Sequence, residues 1–173
     1  MVGGVFMPFQ MTSLQAPEGT YGHYIQIEPF IDKYLKSALK EVIKETSYNG
    51  IFSVDMLVGN DNKNYFLEIN FRHSAFSYAC NYGGINLIKE WAMATINGGI
   101  DENALYEKRL LQPYKAIAEF DDFRQCLFFK TKSPIMWLKN VLSADVHFYY
   151  NPKDIKPFFA SIFHHIRIKL SKT

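Results

Sequence analysis

Two runs of alternating residues on either side of a polar turn, GIFSVDMLVGNDNKNYFLEINFR over residues 50–72, constrain this chain more than any other stretch. On an extended backbone Phe52, Val54, Met56 and Val58 share one face, and Ile51, Ser53, Asp55 and Leu57 share the other. The turn, Gly59-Asn60-Asp61-Asn62-Lys63-Asn64, is rich in residues that hydrogen-bond their own backbone or tolerate positive φ. Residues 65–70 return with the same alternation, which sets Phe66, Glu68 and Asn70 on a common face. A loop centred between Asp61 and Asn62 pairs residues whose numbers sum to 123, so Asp55 falls opposite Glu68. Directly opposed side chains have Cβ atoms about 5 Å apart, and like charges there repel. A hairpin carrying this pair loses stability unless a cation lies between the carboxylates.

Magnesium suits the position. It is a hard ion that takes one or two carboxylates and completes its shell with water and substrate phosphates, and Asn70 adds a neutral oxygen one strand repeat beyond Glu68. Ligand type alone leaves calcium open, but the spaced Asp and Gly positions of a calcium loop are absent from the sequence. The histidines lack the spacing of a zinc site. Arg72, two residues past Asn70, offers a planar fork for phosphate or carboxylate oxygens. The bland alternative is an edge hairpin whose Asp and Glu both face solvent.

The run 52–55, the polar turn, and then Tyr65-Phe66-Leu67-Glu68-Ile69-Asn70-Phe71-Arg72 resemble the end of the nucleotide-binding domain of the ATP-grasp superfamily, in the branch of carbamoyl phosphate synthase and other carboxylate-amine ligases. The resemblance covers residues 20–95 best. It implies that Asp55 and Glu68 hold magnesium, or manganese in its place, against the phosphates of ATP. It further implies that Asn70 completes a metal shell and that Arg72 is a catalytic residue contacting phosphate or an acyl phosphate. The fold it implies is α+β, an ATP-grasp C-terminal subdomain with a largely antiparallel sheet flanked by helices. Residues 1–100 would form that portion, and 101–173 an extension packing on it or on a partner. Small carboxylate and amine (or thiol) substrates are the expected partners. Relatives often have Pro before the Arg where this chain has Phe71, and His73-Ser74 follow in place of a second arginine or a glycine pair, so the acceptor is left open.

The chain of 173 residues is long enough for a sizeable core, and 48% of it is apolar or aromatic, which argues against disorder. A net charge of +2 and the absence of an arginine-rich stripe make nucleic acid a weak candidate, and no nucleic-acid partner is expected. Cys80 and Cys126 have no paired spacing and read as free thiols of a reducing, cytoplasmic protein. No apolar run approaches membrane-spanning length.

Along the chain, the apolar start over residues 2–11 allows at most one short strand, and residues 12–23 read as a loop. Residues 24–28 alternate as a strand. From Pro29 the period changes to that of a helix, with Ile31, Leu35, Ala38 or Leu39, Val42 and Ile43 in one stripe and lysines opposite, stopping before Asn49-Gly50. Asn86 is placed either to fix a loop or to cap the helix that follows over 87–96, which Asn97-Gly98-Gly99 ends, with Trp91 as core. Residues 101–112 read as a charged helix or linker. Residues 114–120 and 125–130 read as two strands turning at Asp121-Asp122. Residues 155–170 form an amphipathic helix with Phe159 and Phe163 on its apolar side; docking on protein is the first reading, and contact with an anionic membrane surface the lesser one.

Only about fifty residues precede the metal-bearing strand, which on the resemblance leaves the ATP-covering region to an upstream segment or a partner chain. Two other functions stay open: a scaffolding domain without activity, and a metal-dependent nuclease, for which Asn70 stands where a lysine is needed.

Overall fold

A computed structural model describes residues 6, 8–16, 20–30, 32–99, 112–130 and 132–170. The expectations for residues 1–5 and 101–111 lie outside that set. The elements are β1 (Phe9–Ser13), β2 (Tyr24–Pro29), α1 (Lys33–Thr46), β3 (Ser53–Val58), β4 (Asn64–Asn70), a 3-10 turn (Ser77–Asn81), α2 (Leu87–Asn97), β5 (Tyr114–Ile117), α3 (Glu119–Phe129), α4 (Pro134–Ser143), β6 (Val146–His147) and α5 (Lys156–Leu170). The chain is therefore mixed α and β, with mostly antiparallel strand pairs. The compact units do not follow chain order: one comprises Met1–Gln10 and Pro29–Gln112, the other Met11–Glu28 and Pro113–Thr173.

In the first unit the helical period yields α1. Asp32 caps it by accepting the Leu35 N–H at 2.9 Å, and Ser47 closes it in the left-handed region at φ 51°. Its buried stripe is narrower than the sequence suggests: Leu39 and Ile43 are buried, while Val42 is exposed. The antiparallel hairpin β3–β4 follows. Beyond it the 3-10 turn buries Ala79 and Cys80, and Ile85 is buried before α2. Asn86 caps α2 through Lys89 N–H at 2.9 Å, and Gly98 ends it at φ 76°. Trp91 departs from expectation. It is 42% exposed, and α2 buries no residue at all, because periodicity sorts residues onto faces without supplying an element to cover them.

The second unit is built on a four-stranded sheet in the order β1-β2-β5-β6. Strands β2 and β5 pair antiparallel, Tyr24 with Ile117 through Ile27 with Tyr114, and their buried Ile25, Ile27, Ala116 and Ile117 form its core. Strand β6 joins β5 in parallel after α3 and α4. Here residues 119–129 correct the expected second strand: they are the helix α3, and Asp121 and Asp122 lie in its first turn, where carboxylates favour the helix N-terminus. Phe120, Phe123 and Cys126 recur at helical spacing. Phe123 meets Trp137 of α4 at 4.8 Å between ring centroids, and Phe120 meets Phe158 of α5 at 5.3 Å. Helix α4 was not anticipated, although Ser133 caps it and Pro134 opens it in the usual way.

Candidate metal centre

The hairpin turn centres on Asp61, with Val58 paired to Asn64, and not between Asp61 and Asn62 as expected. Asn62 adopts φ 58°, its N–H bonds Gly59 O, and the Gly59 N–H bonds Lys63 O, both at 2.9 Å. Asp61 accepts from the Lys63 N–H and from the Tyr65 hydroxyl. A Cβ at Gly59 would fall 2.6 Å from the Tyr65 ring, so a larger residue there would push that exposed side chain aside. The ladder pairs Ser53 with Asn70, Val54 with Ile69 and Asp55 with Glu68, as the alternation requires.

Between Asp55 and Met56 the register slips by one, and Met56 pairs with Phe66. This bulge corrects one expectation. Phe66 follows Met56, which alternates away from Asp55, and so leaves the face of Glu68. Bulges of this kind re-aim side chains, and this one lies directly beside the carboxylate pair.

Asp55, Glu68 and Asn70 converge. Asn70 Nδ2 donates to Asp55 Oδ2 at 3.2 Å and to Glu68 Oε1 at 2.9 Å, so a single amide nitrogen lies within hydrogen-bonding reach of both carboxylates. Its partial positive charge offsets the repulsion between them. A half-turn of the amide exchanges Nδ2 for Oδ1, which would turn three oxygens toward one point. Asp55 and Asn70 are half-buried and Glu68 is exposed, so water reaches the position. Among the described residues there is no group of three or more His, Cys, Asp and Glu side chains placed to hold an ion. Two carboxylates and a carboxamide are not a closed cage. They fit an oxygen-loving ion that keeps waters and draws other ligands from a phosphate substrate.

Arg72 is placed differently from the expected strand repeat. Strand β4 ends at Asn70, and the Arg72 N–H bonds Asn70 O at 2.7 Å across a tight turn, so alternation does not extend to Arg72. Its guanidinium donates to His73 O at 3.4 Å. The Ser74 and Ser77 hydroxyls lie 3.3 Å apart and bond each other. Burial pushes the Cys80 thiol up to about 12, which makes it a packed small residue rather than a nucleophile.

Tyr48 holds both ends of the hairpin. Its hydroxyl lies 2.9 Å from Ile51 O and 3.2 Å from Phe71 O, the shorter contact being the stronger, and its ring meets Phe71 at 4.4 Å. A Cβ at Gly50 would fall 2.4 Å from that hydroxyl. Nothing in the spacing of Tyr48 announced this.

The second unit holds two polar clusters that sequence reading did not find. The buried Glu119 carboxylate accepts the N–H groups of Phe148, Tyr149 and Tyr150 at 3.0–3.2 Å. His147 Nδ1 lies 3.2 Å from its Oε1, within ion-pair range but outside hydrogen-bond geometry. Burial pushes Glu119 up, but His147 and the backbone donors outweigh it, and its carboxyl is held below the ordinary value. Lys132 Nζ bonds both oxygens of Asp122 at 2.9 and 3.0 Å, with both side chains 1% exposed. Both clusters fasten helix α3 to its neighbours, and neither is open to a ligand. Comparison with known proteins returned no match, whether to a family model, a curated protein or a solved structure.

Proposed function

We propose that the β3–β4 hairpin binds magnesium together with the phosphates of ATP, as part of an ATP-grasp type ligase joining a carboxylate to an amine or thiol. The observation that carries this reading is the register that opposes Asp55 and Glu68, with Asn70 reaching both. Two carboxylates opposed across a ladder cost stability, which the Asn70 amide offsets in part and a bound cation would offset further. Asp55 and Glu68 would hold the ion and Asn70 Oδ1 would complete its protein ligands, while the ion, when bound, neutralises charge on the phosphates. Arg72, at the mouth of the hairpin, would contact phosphate or the acyl phosphate formed when the substrate carboxylate displaces ADP. The amine or thiol then displaces phosphate.

Calorimetric titration tests the reading. The wild type should bind magnesium weakly and Mg-ATP more firmly, and D55N/E68Q should lose both signals. Identical isotherms for the two proteins would remove the site.

A further inference from the structure

Helix α5 is anchored to its unit by one side. Phe158 packs on Phe120 at 5.3 Å and on Tyr150 at 5.8 Å, and Ser161 and Ile162 are half-buried beside it. Asp154 fixes its start by accepting the Lys156 N–H at 3.2 Å. Phe159 and Phe163, which sequence periodicity would assign to the packed side, stay largely outside this contact, although Phe159 meets the Phe158 ring edge-on at 5.8 Å. They are 48% and 68% exposed, and Ile155 is 47% exposed.

These three residues follow one another at intervals of four, so they form a single row along the helix. The next position in the row is Arg167, which is exposed, and Lys156, also exposed, lies one residue after Ile155. The outward face of α5 is thus large apolar side chains edged with cations. Charge decides what can lie against it. From Ile155 to Thr173 the sequence has Lys156, Arg167, Lys169 and Lys172 and no Asp or Glu. Two copies meeting α5 against α5 would bring like charges together across the contact. An anionic lipid surface answers both halves of the pattern: Phe and Ile enter the acyl boundary, and Lys and Arg extend their heads to the headgroups.

We infer that α5 lies on an anionic membrane surface through Ile155, Phe159 and Phe163, flanked by Lys156 and Arg167. The contact is peripheral, since no helix among the described residues is long and apolar enough to cross a membrane.

Co-sedimentation of the full chain with phosphatidylcholine vesicles, with and without phosphatidylserine, tests the inference. The wild type should sediment with the phosphatidylserine vesicles and stay in solution with phosphatidylcholine alone. Each basic residue near such a surface is worth about fivefold in partitioning, so K156Q/R167Q should weaken binding about 25-fold. F159S/F163S should weaken it at least about tenfold. K40Q/K44Q removes the same charge from exposed positions of α1 and should leave binding unchanged. All four positions of the two charge variants are exposed, so their comparison stands even if F159S/F163S fails to fold. Absence of vesicle binding would overturn the inference and point to an acidic protein as occupant. Equal loss in K40Q/K44Q would reduce the effect to bulk charge, and self-association abolished by F159S/F163S would assign the face to a second copy.

Discussion

Asn70 shows how a single side chain reconciles stability with a site. With Nδ2 turned inward it bonds both carboxylates, and with Oδ1 turned inward it becomes a third oxygen ligand. Replacing it by aspartate separates these roles. N70D removes the bridging donor and adds a third negative charge, which in the presence of a chelator should lower stability by about 1–3 kcal/mol. Saturating magnesium should recover most of that loss, because the added carboxylate then faces a cation. Urea unfolding with chelator and with magnesium measures both limbs. A loss that magnesium leaves untouched would mean that the triad has no affinity for the ion.

The elements of the second unit depend on α3, whose first turn carries Glu119 and Asp122. Glu119 is held below its ordinary value of 4.5, so the stability it provides is complete above that pH and lost as pH falls through its lower folded value. E119Q should lower stability at neutral pH by about 1–3 kcal/mol and flatten the acid limb of a stability profile below about pH 4.5. An unchanged acid limb would place that pH dependence on other carboxylates. K132M leaves Asp122 charged and buried without its partner and should cost about 3–5 kcal/mol, whereas D122L/K132M should recover most of it. Denaturant midpoints for the three proteins decide this. None of these contacts was legible in the sequence, for physical reasons. Asp121-Asp122 suits a turn as well as a helix N-terminus, and a helix as short as α3 shows its apolar spacing only after its partners are known. The hairpin itself was legible in its turn composition and strand alternation, but its turn pairs Val58 with Asn64 and so centres on Asp61, not between Asp61 and Asn62; the register expected from Ser53 to Asp55 is restored by the bulge. The bulge at Met56 was not legible, since nothing in alternation marks where a ladder slips. Trp91 and Phe163 fail in the same way: helical spacing gives a face but not its cover.

At the scale of the whole molecule, the polar groups divide by purpose between the two units. Glu119, Asp122 and Lys132 are buried in the second unit around the β2–β5 core, where each is bonded and closed to solvent. Asp55, Glu68 and Asn70 lie in the first unit, on a two-stranded hairpin open to water whose turn end also exposes Leu57, Val58, Tyr65 and Phe66. A two-stranded sheet is marginal by itself, so even the solvent-screened repulsion of a like-charge pair counts against it. That contrast makes cation binding at the hairpin the central claim. Its most direct test is paramagnetic: substoichiometric manganese added, with ATP, to the isotopically labelled chain while amide resonances are recorded. The expected result is selective broadening of the Asn70 side-chain amide and of the Asp55 and Glu68 backbone signals, abolished in D55N/E68Q. Broadening centred elsewhere, or unchanged in the double variant, would contradict the assignment of the metal to this hairpin.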